Sequence, residues 1–256
     1  MRQNDHRDHR ARRLDWEGSL NARDLGGLPA RDGAAIRQGA LVRSDSPNYL
    51  ADAGRRALVA HGVRTIVDVR LPGEAAGSPY PFMAHGGHGI HYVNVSLLDP
   101  DFVPPDAETA ELPPLADDYK HLLDSNAPRV AAIVRGVADA PEGGVLVHCA
   151  AGKDRTGLVV ALLLDLAGVP RDLIAADYAL SSENLKDRLQ AWIEEVPEEA
   201  REREAMITRG TTVPEVMLDV LAHLDARYGG TEGYLLAAGC APEHFARIRA
   251  RLVAES

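Results

Sequence analysis

The chain has 256 residues, 45% of them hydrophobic and 26% charged, which suits a folded globular protein long enough to bury a full core. Its net charge of −10 argues against a general nucleic-acid or anionic-membrane surface, so any bound anion must be held by a local site working against the overall field. Its two cysteines, Cys149 and Cys240, lie far apart and give neither a disulfide framework nor a zinc-ligand spacing.

In chain order, the polar and basic start, residues 1–13, reads as a disordered tail rather than a nucleic-acid arm, and it has no apolar run of the secretory type. No window reaches the roughly 18 consecutive apolar residues of a membrane span, so no stable membrane insertion is expected and a reducing cytoplasm is the expected compartment. Arg23 and Asp24 read as a structural ion pair. Residues 48–61 carry a helical pattern, and "TIVDVR" (Thr65–Arg70) is a β-branched run that reads as a strand. His85, His88 and His91, spaced by glycines, read as a loop entering the next strand rather than as metal ligands, and that strand is predicted over Gly89–Leu98. The Pro-rich acidic stretch Leu97–Leu115 is too long for an ordinary connection, which marks it as a functional or mobile loop or a tolerated insertion. Leu115–Ala140 holds one or two helices, and "GVLVHC" (Gly144–Cys149) is an apolar run that fits a buried central strand. Gly157–Gly168 is apolar on nearly all faces and predicts a buried helix that stops near Gly168 and Pro170. From there the signals are helical. Met217, Leu221, Leu224 and Tyr228 share one helix face, and Ala241–Val253 is amphipathic. Cys240 reads as a packed helix residue.

The fold predicted is α/β, a central mostly parallel sheet flanked by helices, with a helical C-terminal extension. Residues 14–256 form one domain, of which about 170–256 is the helical extension or lid.

The chemistry concentrates in "HCAAGKDRTG" (His148–Gly157), where a buried strand ends and a helix begins. Loop amides and the helix N-terminus form a nest for an anion, with roughly half a positive charge from the helix. The amides of Ala150, Ala151, Gly152, Lys153, Asp154 and Arg155 are the predicted cradle, and the Arg155 fork matches phosphate oxygens. Thiols at helix N-termini beside cations ionise more readily than free ones, so Cys149 is the predicted nucleophile. Attack on phosphorus would form a phosphocysteine, with the cradle and Arg155 stabilising the equatorial oxygens. Thr156 can donate its hydroxyl to the sulfur in the second step, and His148 orders the loop by hydrogen bonding.

Cys-x5-Arg followed by Thr is the signature of cysteine-dependent phosphatases, and this loop closely resembles that of the bacterial tyrosine-phosphatase-like family. "NARDLGGL" (Asn21–Leu28), "LVRSDSPNYL" (Leu41–Leu50) and "VRTIVDVRLPGE" (Val63–Glu74) resemble further segments of that family, with Ala22 where it often has an aromatic. The resemblance implies a phosphomonoester hydrolase acting without metal or cofactor on phosphotyrosine, other phosphoproteins or phosphoinositides, most naturally a protein tyrosine phosphatase with dual specificity in reach. In relatives with a Lys-Asp-Arg loop, the loop aspartate is a candidate proton donor, here Asp154. Asp68, at the end of a neighbouring strand, is the runner-up, with a salt bridge to Arg70 or Arg43 as its structural alternative. Asp99 and Asp101 could arrive on a moving loop. Lys153 keeps inositol phospholipids open as substrates.

Three other readings compete for the loop. A nucleotide-binding P-loop needs glycine at Val147 and Ser or Thr at Asp154, so it fails. A sulfurtransferase also uses a loop cysteine, but Lys-Asp-Arg-Thr resembles phosphatases more closely. A non-catalytic phospho-ligand module would usually lack the nucleophile or the arginine, and both are present.

Overall fold

Strand β5 (Gly144–His148) is buried along its whole length, as a strand with cover on both faces must be. Val145 and Val147, followed by Cys149, join the larger apolar cluster, whereas Leu146 joins the smaller one on the opposite face, the two-residue alternation of a pleated strand. The computed structural model describes residues 11–78, 89–100, 114–195 and 212–254.

β5 is the middle of a five-stranded sheet with β1 (Arg23–Asp24), β2 (Leu41–Ser44), β3 (Val63–Asp68) and β4 (His91–Asn94), in the order β1-β2-β5-β3-β4. β1 runs antiparallel to β2, and the other pairings are parallel. In register, His148 lies beside Ser44 on one side and Asp68 on the other, and Asp68 beside Asn94. The strand ends therefore form one rim, where an open α/β sheet places its ligands.

Helices α1 (Asp52–Ala60), α2 (Pro72–Gly77), α3 (Leu115–Ser125), α4 (Ala127–Ala138), α5 (Asp154–Leu166), α6 (Arg171–Asn184), α7 (Lys186–Glu195), α8 (Pro214–Tyr228), α9 (Thr231–Ala237) and α10 (Pro242–Leu252) flank the sheet. On the smaller face, Leu58 of α1 and Trp16 pack on Val42, Leu146 and Ile66. The larger cluster is built around α5, whose Leu158 through Leu164 are all buried, as its all-round apolarity predicts. Met217, Leu221, Tyr234, Phe245 and Ile248 from α8–α10 belong to that same cluster.

The elements differ from expectation in several places. The predicted Gly89–Leu98 strand shortens to β4, because Asn94 turns its side-chain amide onto the carbonyls of Asp68 and Arg70 (3.0 Å each) as the chain leaves the ladder. Leu115–Ala140 is two helices, broken at Asn126, since Pro128 in the first turn of α4 has no N–H to continue the α3 ladder. Cys240 lies in the turn between α9 and α10 rather than in a helix, its Sγ 3.6 Å from the Ala131 carbonyl. His85, His88 and Asp101 fall outside the described residues, as does most of the stretches at 1–13 and 97–115.

Candidate active site

The loop from Cys149 to Lys153 runs from the end of β5 to the first residue of α5. Each of its carbonyls is bonded to the surrounding scaffold. His148 Nδ1–H donates to the Cys149 carbonyl (2.9 Å), and the Ser46 amide to that of Ala150 (2.9 Å). The Asn21 side-chain amide donates to Ala151 and Gly152 (3.0 and 3.1 Å), and the Arg43 guanidinium to Gly152 and Lys153 (2.9 and 3.2 Å). A peptide's N–H points opposite to its C=O, so carbonyls held outward leave the loop amides facing the space it encloses. Gly152 permits the curl. It has φ +68, and a Cβ there would sit 2.3 Å from the Ser44 carbonyl oxygen.

Cys149 is only 3% exposed, at the floor of this loop. Arg155, in the first turn of α5, makes a two-pronged contact with Glu74 of α2, Nη1 to Oε2 at 2.6 Å and Nη2 to Oε1 at 2.9 Å. Glu74 Oε2 also accepts from the Leu71 amide (2.9 Å), which fixes the carboxylate at the helix start. Burial opposes the Glu74 charge, but the hydrogen bonds and charge of Arg155 hold its carboxyl below the ordinary range. The same contacts, with Cys149 and Asp154 nearby, outweigh burial for Arg155 and keep its guanidinium charged. Asp154 is 41% exposed at the side chain, accepts from the Tyr119 hydroxyl at Oδ1, and has Lys153 Nζ 3.6 Å from that same oxygen. Thr156 is fully buried, and its hydroxyl has no hydrogen-bond partner among the described residues.

Asp68, the runner-up acid, has a different surrounding from the one a proton donor needs. It is fully buried, and its oxygens accept from Arg70 (2.6–3.0 Å) and the Tyr92 hydroxyl (2.7 Å). Burial would raise its pKa, but the hydrogen bonds from Arg70 and from the Tyr92 hydroxyl bring it below the ordinary value, so it holds no proton to give. The alternative salt bridge with Arg70 is the arrangement found. His148 is fully buried, which lowers its pKa despite Asp68 at 3.7 Å, and the neutral ring serves as the donor to Cys149. Asp99 pairs with Arg129 at 3.1 Å.

The expected Arg23–Asp24 pair is absent, and each residue has another partner. Neighbouring strand residues point to opposite faces, which parts them. Asp24 accepts from the Gly26 and Gly39 amides (2.8 Å each) and pairs with His61 (3.0 Å). Arg23 joins Arg12 and Arg43 around Asp177 of α6, at 3.0, 3.0 and 2.8 Å, all buried. Burial opposes the Asp177 charge, and the three guanidinium groups overcome it, leaving the carboxyl far below the ordinary range. Arg43 thus reaches from this knot to the loop carbonyls, and Arg23 supports the loop through Asn21, donating from Nη1 to Asn21 Oδ1 (2.7 Å).

Glu74, Tyr119, Asp177 and the loop-holding roles of Asn21 and Arg43 were not anticipated as site features. Glu74 carried one local signal, its place three residues after Leu71 in a helix-start pattern. Among the described residues, no group of three or more His, Cys, Asp or Glu side chains could hold a metal ion, and no helix is long and apolar enough to cross a membrane.

A family model described as the tyrosine phosphatase family matches residues 14–254. A tyrosine-protein phosphatase of Nostoc commune is 33% identical over 230 residues, covering 88% of this chain and 78% of the relative. The triple specificity protein phosphatase PtpB of Mycobacterium tuberculosis is 29% identical over 278 residues, covering 92% of this chain and 97% of the relative.

Proposed function

The chain belongs to the tyrosine phosphatase family and is a phosphatase, and on that premise we propose how its residues divide the reaction. The Cys149 thiolate attacks phosphorus of a bound phosphomonoester, and the S–P bond forms as the ester P–O bond breaks. Asp154, protonated at this stage, gives its proton to the leaving oxygen. Water then attacks the phosphocysteine. The Asp154 carboxylate takes the water's proton, the S–P bond breaks, and phosphate leaves with the thiolate restored. The loop amides of Ala150 to Arg155 and the Arg155 fork hold the equatorial oxygens throughout. Thr156, buried with an unspent hydroxyl, donates to the departing sulfur in the second step. In the free enzyme Glu74 holds the Arg155 fork in its bidentate geometry. Asp68 is left with a supporting role, tying Arg70 and Tyr92 to the rim.

The observation that carries this reading is the outward anchoring of every carbonyl from Cys149 to Lys153, which prepares the amides for a tetrahedral oxyanion before substrate arrives. Substrates are phosphotyrosine proteins, with dual specificity in range. Lys153, beside the cradle, favours a second reading as a phosphoinositide phosphatase, and a panel of phosphopeptides against phosphoinositides decides between them. A reducing cytoplasm suits a reaction that needs a free thiol, and both cysteines are unpaired. Replacing Cys149 by Ser is expected to lower aryl phosphate turnover by at least about 10³-fold. Acid quenching of the wild-type enzyme during turnover should trap phosphate on Cys149. Wild-type turnover in Cys149→Ser overturns the assignment.

A further inference from the structure

Asp154 stands at the first position of α5 with its side chain 41% exposed, yet it is not free to turn. The Tyr119 hydroxyl bonds its Oδ1, and the Lys153 ammonium approaches that same atom at 3.6 Å. Tyr119 itself is 4% exposed, and its hydroxyl lies 3.0 Å from that of Tyr178. The two rings meet edge to face, centroids 6.2 Å apart at 80°. Oδ1 of Asp154 accepts whether the carboxyl is ionised or carries its proton on Oδ2, so Tyr119 donates to Asp154 and Tyr178 donates to Tyr119.

Both tyrosines are held by the frame of the molecule. Tyr178 presses on the first turn of α5, where a Cβ on Gly157 would come within 2.9 Å of its ring. Tyr119 rides on α3, which is braced against α8 and α9. Lys120 reaches Asp219 (2.6 Å), Tyr228 donates to Asp124 (2.8 Å), and Tyr234 donates to the Leu123 carbonyl (2.7 Å).

We propose that Tyr119 is a positioning residue for the acid–base carboxylate: it fixes Oδ1 of Asp154 so that Oδ2 is presented to the leaving oxygen and later to water. This rests on the assignment of Asp154 as proton donor. Its physical basis is orientation. A carboxylate on an open loop samples several rotamers, and a bond from a rigid, buried hydroxyl selects the one that reaches the reacting oxygen. Burial, then the Asp154 charge, push the Tyr119 hydroxyl well above its ordinary pKa, so it keeps its proton and acts as a fixed donor rather than a relay.

The test is turnover of two aryl phosphates, phenyl phosphate with a poor leaving group and 2,4-dinitrophenyl phosphate with a good one, by Tyr119→Phe, Asp154→Asn and the double variant. Asp154→Asn is expected to lower kcat/KM, which reports the first, leaving-group-dependent step alone, by about 10²-fold or more on phenyl phosphate while sparing kcat/KM for the dinitrophenyl ester. Tyr119→Phe is expected to give the same split at about tenfold, and the double variant to match Asp154→Asn alone. Tyr178→Phe, which removes only the donor to Tyr119, should show a smaller split of the same sense. Equal loss on both esters in Tyr119→Phe, or a full extra factor in the double variant, overturns the positioning role while Asp154 keeps its assignment. No split in Asp154→Asn removes the acid assignment itself.

Discussion

Asp177 lies wholly in the core and touches no reacting atom in the proposed reaction. Three guanidinium groups converge on its carboxylate in the core. The crowding is visible on Arg23, where burial and then the charge of Arg43 bring the pKa down to about 9. One member of this knot, Arg43, also donates to the carbonyls of Gly152 and Lys153. The knot therefore couples core stability to the shape of the oxyanion cradle. Replacing Asp177 by Asn keeps the volume and removes the carboxylate that these three arginines share. Breaking a buried ionic cluster by removing one partner costs about 3–5 kcal/mol. The expected outcome is a urea unfolding midpoint lowered to match, together with weaker inhibition by inorganic phosphate, because Arg43 loses its anchor. An unchanged midpoint would mean that Arg12, Arg23 and Arg43 find other anions.

At the scale of elements, the proposed catalytic unit is a strand, a curled loop and a helix, and this much was legible in the sequence. The apolar run of β5, the glycine inside the loop and the all-round apolarity of α5 are local signals a few residues apart; β5 forms within a residue of its expected bounds, and α5 begins at Asp154 rather than Gly157 and ends at Leu166 rather than Gly168. The elements that complete the site were not legible, because their partners lie far along the chain. Glu74 is 81 residues from Arg155, Tyr119 is 35 from Asp154, and Arg23 is 154 from Asp177. β1 and β2 carry no strand pattern either, having two and four residues that include Arg, Asp and Ser. The loop's dependence on Gly152 is testable. Alanine there would need φ near +68 and would drive a Cβ to 2.3 Å from the Ser44 carbonyl oxygen. The strand end of β2 cannot yield without disturbing its pairing with β5, so the loop must move instead. Gly152→Ala is expected to keep the fold, seen by circular dichroism, and to lose about 10²-fold or more in kcat/KM as the amides leave their positions. Wild-type kcat/KM in that variant would show that the cradle does not depend on this curl.

For the whole molecule, the net charge of −10 sets a background against which the site gathers its cations, Lys153, Arg155 and, beneath them, Arg43. The compensation lies in buried and half-buried carboxylates, and it makes stability depend on pH with a definite sign. Asp24, Asp68, Glu74 and Asp177 all have pKa values below their ordinary 3.8 (Asp) or 4.5 (Glu) in the fold. For each, burial pushes upward and hydrogen bonds or cationic neighbours more than offset it. A group depressed in the fold binds its proton more readily when unfolded, so its stabilisation is complete above the unfolded pKa and is lost as pH falls below it. His148 acts in the same direction from a higher starting point. Burial lowers its pKa from 6.5, so the unfolded chain takes up a proton there before the folded one does. The urea unfolding midpoint is therefore expected to be level near pH 8, to begin falling below about 6.5 as His148 protonates in the unfolded state, and to fall more steeply below about 4.5 as the carboxylates follow. The steep acid limb should flatten in Asp177→Asn, which lacks the most strongly depressed of these groups. A midpoint that stays level from pH 8 to pH 4, or rises on acidification, would contradict the picture of ionised carboxylates as the ties between the catalytic loop and the core.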